Sequence, residues 1–307
     1  MKRVSIFCLL LTISLSFCHA QKAYTIEYNL KKGDIFTQEL ITNANSNMEI
    51  IGQNMNLSSI MTMIMQGTVM EKNEDTYTIE MKFNEITINM EVAGTKTSFS
   101  SDVTKNDIIL GNDLGPLFKS ITTQIFVAEM SKTGKLLSIT GFEELAQKMM
   151  KTMRDNMDEE KMEELLAQLE GLFSSQSMTE MFDQTSAYYP AKPVKKKDSW
   201  TNSLNMGAAP FSFQSNITMT LKKIKGNIAT IQCKGEMATK EDATQEVMGM
   251  DAKISVNGTI TGYMYIDLNN GLPIKNELNQ NIEGSMEILG MAVPLKVKSK
   301  TTATTTK

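Results

Sequence analysis

The chain has 307 residues, 41% of them hydrophobic and 21% charged, with 31 Lys and Arg against 35 Asp and Glu, three Cys, one His and 25 Met. This mild acidity argues against a nucleic-acid partner, which would require a concentrated basic face. A chain of this length suits one large or two modest domains and can bury a substantial core.

The first twenty residues read as a cleaved export leader. Lys2 and Arg3 form a basic start, Val4 to Phe17 is mostly apolar, and Cys18-His19-Ala20 ends in a small residue before Gln21. Cleavage there removes two basic residues, Cys8, Cys18 and His19. The expected mature chain has 287 residues, a net charge of −6, one cysteine (Cys233) and no histidine. Ser-His-Asp and Cys-His catalysis and His-ligated zinc or iron are then excluded. A lone cysteine likewise forms no internal disulfide, although export implies an oxidising compartment. Anchoring through a lipidated Cys18 is disfavoured, because Phe17 stands where a small residue is needed. No second apolar run approaches the roughly 18 to 20 residues that span a bilayer.

From Tyr24 to about Thr104 the pattern has period two and predicts strands of ten to fifteen residues. The stretch from Tyr77 to Ile88 predicts one long strand whose alternation breaks near Glu85, where a bulge is expected. Met61, Met63 and Met65 fall on one face of their strand. Four segments resemble one another: Asn47-Met48-Glu49-Ile50-Ile51-Gly52, Asn89-Met90-Glu91-Val92-Ala93-Gly94, Gln245-Glu246-Val247-Met248-Gly249 and Ser285-Met286-Glu287-Ile288-Leu289-Gly290. A glycine there supplies the positive φ of a tight hairpin, so these are predicted as hairpin tips. Asn205 to Pro210 is a degenerate fifth. Polar, Gly- and Asn-rich turns at 71–75, 131–135, 223–227 and 269–273 alternate with the tips, which places turns at one end of the sheet and tips at the other. Lys31-Lys32-Gly33-Asp34 also resembles Lys195-Lys196-Lys197-Asp198, so two related halves are expected.

Between the halves the period becomes helical. Thr140 to Glu143 is a capping box followed by Phe142, Leu145, Ala146, Met149, Met150 and Met153 on one stripe. A second helix places Met162, Leu165, Leu166 and Leu169 together, and a third opens at Ser177. The predicted organisation is a leader over 1–20, a first β half over 21–140, a helical segment over 141–187 and a second β half over 188–300. A low-complexity tail over 301–307 is read as disordered.

Methionine could signal Cu(I) binding, with Met61-x-Met63-x-Met65 and Met248-x-Met250 as candidates. Its spread over strands, helices and tips favours a pliable apolar wall. Acidic residues at 158–164 suit the polar face and N-terminal end of a helix better than a glycosidase pair. Lys192 and Lys195 to Lys197 read as a solvated linker, Cys233 as a small buried residue, and Trp200, Tyr188 and Tyr189 as packing anchors.

The leader ending in Ala-Gln, the opening Leu30-Lys31-Lys32-Gly33-Asp34-Ile35-Phe36, the Met-Glu-x-apolar-Gly tips and Pro190-x-Lys-Pro-Val-x-x-x-Asp-Ser-Trp200 together resemble an uncharacterised family of exported Bacteroidota-type proteins. That resemblance implies export and carries over no activity. At the level of architecture the pattern is similar to bacterial lipoprotein-carrier-like half-barrels, which hold acyl chains in an apolar concavity; fold alone does not determine function.

The expected fold is α+β and β-dominated: a long-stranded, curved antiparallel meander of two related halves, half-barrel-like, with amphipathic helices on its concave face. The expected function is non-enzymatic binding of a hydrophobic or lipid-like ligand in the cell envelope, without a cofactor. The candidate lining residues are Met61, Met63, Met65, Leu145, Met149, Met153, Leu165 and Leu169. The alternative is a structural module that docks an envelope protein through the tips at Ile51, Val92, Met248 and Leu289.

Overall fold

The computed structural model describes residues 22–50, 53–92, 94–102, 111–156, 189–206, 213–239, 244–247, 250–288 and 290–307. Its basis is one mainly antiparallel sheet of thirteen strands among the described residues. In the first half these are β1 (Ile35–Ile50), β2 (Gln53–Lys72), β3 (Thr76–Val92), β4 (Thr95–Ser100), β5 (Ile125–Ser131) and β6 (Leu136–Thr140). In the second they are β7 (Ser199–Met206), β8 (Phe213–Lys225), β9 (Ile228–Ala238), β10 (Thr244–Val247), β11 (Met250–Asp267), β12 (Pro273–Ile288) and β13 (Met291–Thr306).

The spatial order is β6-β5-β3-β2-β1-β13-β12-β11-β9-β8-β7, with β4 beside β3 and β10 beside β11. The two chain ends therefore meet in the middle of the sheet, where β1 pairs with β13 from Thr37↔Thr306 to Met48↔Leu295. The Thr-rich 301–307 segment is a correction to the sequence reading. It is not a disordered tail: Thr301 to Thr306 complete β13 and pair with β1, and Thr301 to Thr304 also pair with β12. Threonine is a β-branched strand former, and pairing with β1, joined by β12 as far as Thr304, satisfies the backbone of this run.

The long strands exceed the predicted length, reaching 20 residues in β2 and 18 in β11. At the four predicted tips the described strands close in register at Ile50↔Gln53, Val92↔Thr95, Val247↔Met250 and Ile288↔Met291. Gly94 and Gly290 adopt the positive φ that such turns require. The expected break in β3 is also present: Ile64 faces Glu85 but Met65 faces Phe83, leaving Asn84 as the extra residue. The inward set accordingly switches from Tyr77, Ile79, Met81 and Phe83 to Ile86.

Helix α1 (Gly111–Thr122) lies within the region read as wholly β, because Gly111, Gly115 and Pro116 look like helix breakers in sequence. Its Phe118 stacks on Phe99 of β4 at 6.3 Å. Helix α2 (Phe142–Asn156) begins at the predicted box; Gly141, with φ +107, precedes it, and the Gly141 carbonyl accepts from Leu145 N–H. Phe142 packs 5.1 Å from Phe126, which in turn meets Phe83 at 5.8 Å. The helices expected over 158–184 lie outside the described residues.

Inward-facing glycines let the sheet bend. A Cβ on Gly235 would come within 2.7 Å of the Asn216 carbonyl, and one on Gly258 within 2.7 Å of the Asn281 carbonyl. Such close backbone approach is what glycine permits at a curved site in a sheet.

Candidate functional site

Alternation divides the sheet into two chemically different faces. On β11, Ala252, Ile254, Val256, Ile260, Met264 and Ile266 are buried, while Lys253, Ser255, Asn257, Thr259, Thr261 and Tyr263 point the other way and are exposed. The buried set merges with Ile79, Met81, Phe83, Phe126 and residues of α2 into one hydrophobic cluster. On β11 the inner face is therefore apolar and the outer face polar, whereas β2 and β5 also expose Ile60, Ile125 and Val127 outward.

The curl of the sheet follows from a cavity of about 70 Å³ near the turn end. Its wall takes Phe36 and Gln38 from β1, Met65 from β2, Met81 from β3, Met130 from β5, Leu136 from β6, Pro273 from β12 and Thr305 from β13. Those are seven adjacent strands, which in a flat sheet would span about 29 Å at roughly 4.8 Å per strand. They can line one small cavity only if the sheet wraps around it.

The turn end is closed by a segment that the period-two pattern from Tyr24 placed among the strands, but which lies before β1 and forms only a single bridge at Tyr24. Residues before β1 cross beneath the sheet, with Ile26, Tyr28 and Leu30 fully or almost fully buried. Tyr24 bridges to Val194 by two hydrogen bonds of 2.8 and 2.9 Å. Tyr28 N–H donates to the Lys132 carbonyl and Asn29 N–H to the Asn270 carbonyl, tying together the turns at 131–135 and 269–273. Tyr77 donates its hydroxyl to the Tyr28 carbonyl at 2.8 Å, and Tyr189 donates to the carbonyl of Gly271. The rings of Tyr28 and Tyr189 lie 5.1 Å apart. Burial pushes the Tyr189 phenol well above its ordinary pKa, so it remains a protonated donor. The alternation Ile26, Tyr28, Leu30 in sequence was the available signal for this plug.

Within the apolar inner face runs a polar strip where the chain ends pair. Leu40 faces Ala303, so by alternation Gln38, Thr42 and Ser46 of β1 point inward together with Ser299, Thr301 and Thr305 of β13. Asn276 and Gln280 of β12 continue the strip. Thr42 and Thr301 hydroxyls lie 3.2 Å apart, and Ser299 donates to Gln280 Oε1 at 3.0 Å. Buried Thr305 Oγ1 and Asn276 Oδ1 have no hydrogen-bond partner. Sequence reading missed this strip because its residues are ordinary strand polar residues in strands far apart along the chain.

Of the predicted lining residues, Met61, Met63 and Met65 are half-buried on β2, between Thr42, Leu40 and Gln38 on one side and Ile88, Ile86 and Phe83 on the other. Leu145 and Met149 are buried on α2 and belong to the same hydrophobic cluster as Met63 and Met65. The Met153 side chain, Leu165 and Leu169 lie outside the described residues. Cys233 is buried on the inner face of β9, where desolvation raises its thiol pKa to about 12 and leaves it without thiolate character. Tyr189 and Trp200 pack with the core. Among the described residues, no group of three or more His, Cys, Asp or Glu is placed to hold a metal, and no helix is long and apolar enough to cross a membrane.

A family of unknown function (DUF6263) matches residues 74–273, about two thirds of the chain. The chain belongs to this family. The match runs from the turn before β3 to the first residue of β12, so it includes α1 and α2. No curated protein matches the chain. Among solved structures, an outer membrane channel from Pseudomonas putida F1 is 8% identical with a TM-score of 0.29, over 91% of this chain and 97% of that one. The translocator domain of the autotransporter NalP from Neisseria meningitidis is 6% identical with a TM-score of 0.29, over 90% of this chain and 89% of that one. Likenesses this distant carry no argument about the function of this family member.

Proposed function

We propose that the protein is an exported, non-enzymatic binder of an amphipathic, lipid-like molecule held against the inner face of the sheet. The observation that carries the reading is the polar strip within the apolar inner face, beside a cavity of about 70 Å³. Methyl- and thioether-rich walls accept a hydrocarbon chain, and Met in particular adapts to varied shapes. Thr305 Oγ1 and Asn276 Oδ1 offer unused hydrogen-bonding capacity to a polar group on the same ligand. The described residues place no nucleophile, base and orienting group together, which is why a binding role is preferred to catalysis.

The two halves of the sheet are proposed to be related by duplication. Supporting this, Asp34 accepts from Lys31 N–H at 2.8 Å and Asp198 accepts from Lys195 N–H at 2.8 Å. In both turns the following strand is locked identically: Gly33 N–H donates to Val69 while Val69 N–H donates to Asp34, and Lys197 N–H donates to Leu221 while Leu221 N–H donates to Asp198. Gly33 and Lys197 share a positive φ, of 86° and 80°.

Native mass spectrometry and lipid extraction of gently purified protein test the binding reading. A bound amphiphile, displaced or lost in a Met63→Asp variant, is the expected result; protein that is empty and takes up no amphiphile would sink it. A second reading, docking of an envelope protein at the tip end, is favoured by exposed Met55, Val92 and Met291 there. A Val92→Asp change would abolish such capture without unfolding the chain. Cu(I) binding through Met61, Met63 and Met65 is a lesser reading, and a melting temperature unmoved by Cu(I) removes it.

A further inference from the structure

The outer face carries a second pattern, independent of the inner concavity. Lys296, Lys298 and Lys300 project from the outer side of β13 and are exposed. Register sets an amide beside most of them: Lys300 lies between Asn279 of β12 and Asn43 of β1, and Lys298 between Asn281 and Asn45. Lys296 lies between Glu283 and Asn47, and Asn47 is hydrogen-bonded to Asn56 at 2.6 Å. Alternate residues of a strand are about 6.8 Å apart and neighbouring strands about 4.8 Å. The result is a lattice of ammonium and amide groups on the outer side of β1, β13 and β12, in the middle of the sheet.

Two grooves adjoin this lattice. One of about 620 Å³ contains Asn45, Asn47, Asn56, Lys296 and Lys298. The other, of about 320 Å³, contains Lys300, Asn279, Lys234, Gln232 and Tyr263. Glu91 and Glu277 also line them, but Glu91 pairs with Lys96 at 3.9 Å and Glu277 with Lys275 at 3.2 Å. Among the described residues Lys234, Lys296, Lys298 and Lys300 take part in no ion pair. Glu283 stands opposite Lys296 in register, while Lys298 and Lys300 are flanked on both sides by asparagines, so positive charge stands out along this strand of a chain of net charge −4.

We propose that this outer face binds an acidic polysaccharide, with lysines meeting its carboxylates and asparagines its hydroxyls. Amides suit hydroxyls because both donate and accept hydrogen bonds. Tyr263, 40% exposed and hydrogen-bonded from Gln232 Nε2 at 3.3 Å, lines the second groove. A nucleic acid would demand more aromatic stacking and a basic domain. A lipid surface would demand apolar anchors beside the lysines, a place asparagines occupy here.

Affinity electrophoresis of the whole chain through gels containing alginate, with neutral dextran as the parallel matrix, tests the proposal. Retardation is expected in alginate alone. The Lys296→Gln/Lys298→Gln/Lys300→Gln variant should weaken it about tenfold or more, and Asn45→Ala with Asn279→Ala, which keeps every charge, should weaken it severalfold. Circular dichroism checks that each variant folds. Four outcomes overturn the proposal: no retardation of the unaltered chain, equal retardation in dextran, an equal loss in a Lys135→Gln/Lys222→Gln/Lys225→Gln control, or binding to anionic vesicles but not to alginate. None of these depends on whether the inner face holds an amphiphile.

Discussion

The two ends of the sheet are built from the same element, a tight glycine-containing turn between long strands, yet they differ in what lies against them. At the tip end Gly94 and Gly290 face open space, and Met55, Val92 and Met291 are exposed. At the turn end Gly271 is met by the backbone of Glu27 and Tyr28, and the crossing segment buries Ile26 and Leu30. A hairpin turn thus sets only the return of the chain. Whether that end is a lid or a mouth depends on a segment from elsewhere in the sequence.

Substitutions in pairs test this difference most directly. Gly271→Ala combines a positive φ of 73° with a clash against the Tyr28 backbone, and should cost about 4 kcal/mol. Gly94→Ala carries only the φ cost, about 1 to 2 kcal/mol. Denaturant melts giving equal losses would break the contrast between the ends. Leu30→Ala should cost about 3 kcal/mol by leaving a void under the sheet, whereas Val92→Ala at the exposed tip should stay within about 0.5 kcal/mol. Dye binding should rise only in the first.

Tyr189→Phe removes a buried donor and leaves the Gly271 carbonyl with one fewer partner, for an expected loss of about 1 to 2 kcal/mol. Amide exchange should quicken at the 268–272 turn and leave the tips unchanged. The smallest effect concerns Asp34, which accepts from Lys307 Nζ at 2.7 Å and so fastens the last residue to the turn end. Partial desolvation raises the Asp34 pKa, but hydrogen bonds from Lys307 and Lys31 N–H outweigh it and leave the pKa lowered. A lowered folded-state pKa stabilises above the unfolded value of about 3.9 and loses that contribution as pH falls through the folded value. Lys307→Met should therefore cost less than about 1 kcal/mol near neutral pH, and its difference from the unaltered chain should vanish in acid.

Legibility in the sequence followed the range of the interactions. The tips at Gly94 and Gly290, the bulge beside Glu85 and the start of α2 near Thr140 are local, set by a few neighbouring residues. Helix α1 was hidden because Gly111, Gly115 and Pro116 lower local helix preference, and packing of Phe118 on Phe99 overrides it. The Thr301 to Thr306 strand was hidden because repetition of one residue resembles a linker until its partners Leu40 and Asn276 are found. For the candidate site, Met61, Met63, Met65, Leu145 and Met149 could be named from periodicity. The strip from Gln38 to Thr305 could not, since it joins strands from opposite ends of the sequence, Thr42 and Thr301 being 259 residues apart.

Sequence by itself determined strand alternation, turn positions and the apolar character of one face, because each depends on backbone sterics and side-chain chemistry within a few residues. Tertiary structure alone decided that the chain ends pair at the centre, that the segment before β1 seals one end, and that polar side chains meet inside an otherwise apolar curve. Those outcomes depend on long-range registers, in which a shift of one residue would turn every side chain to the opposite face.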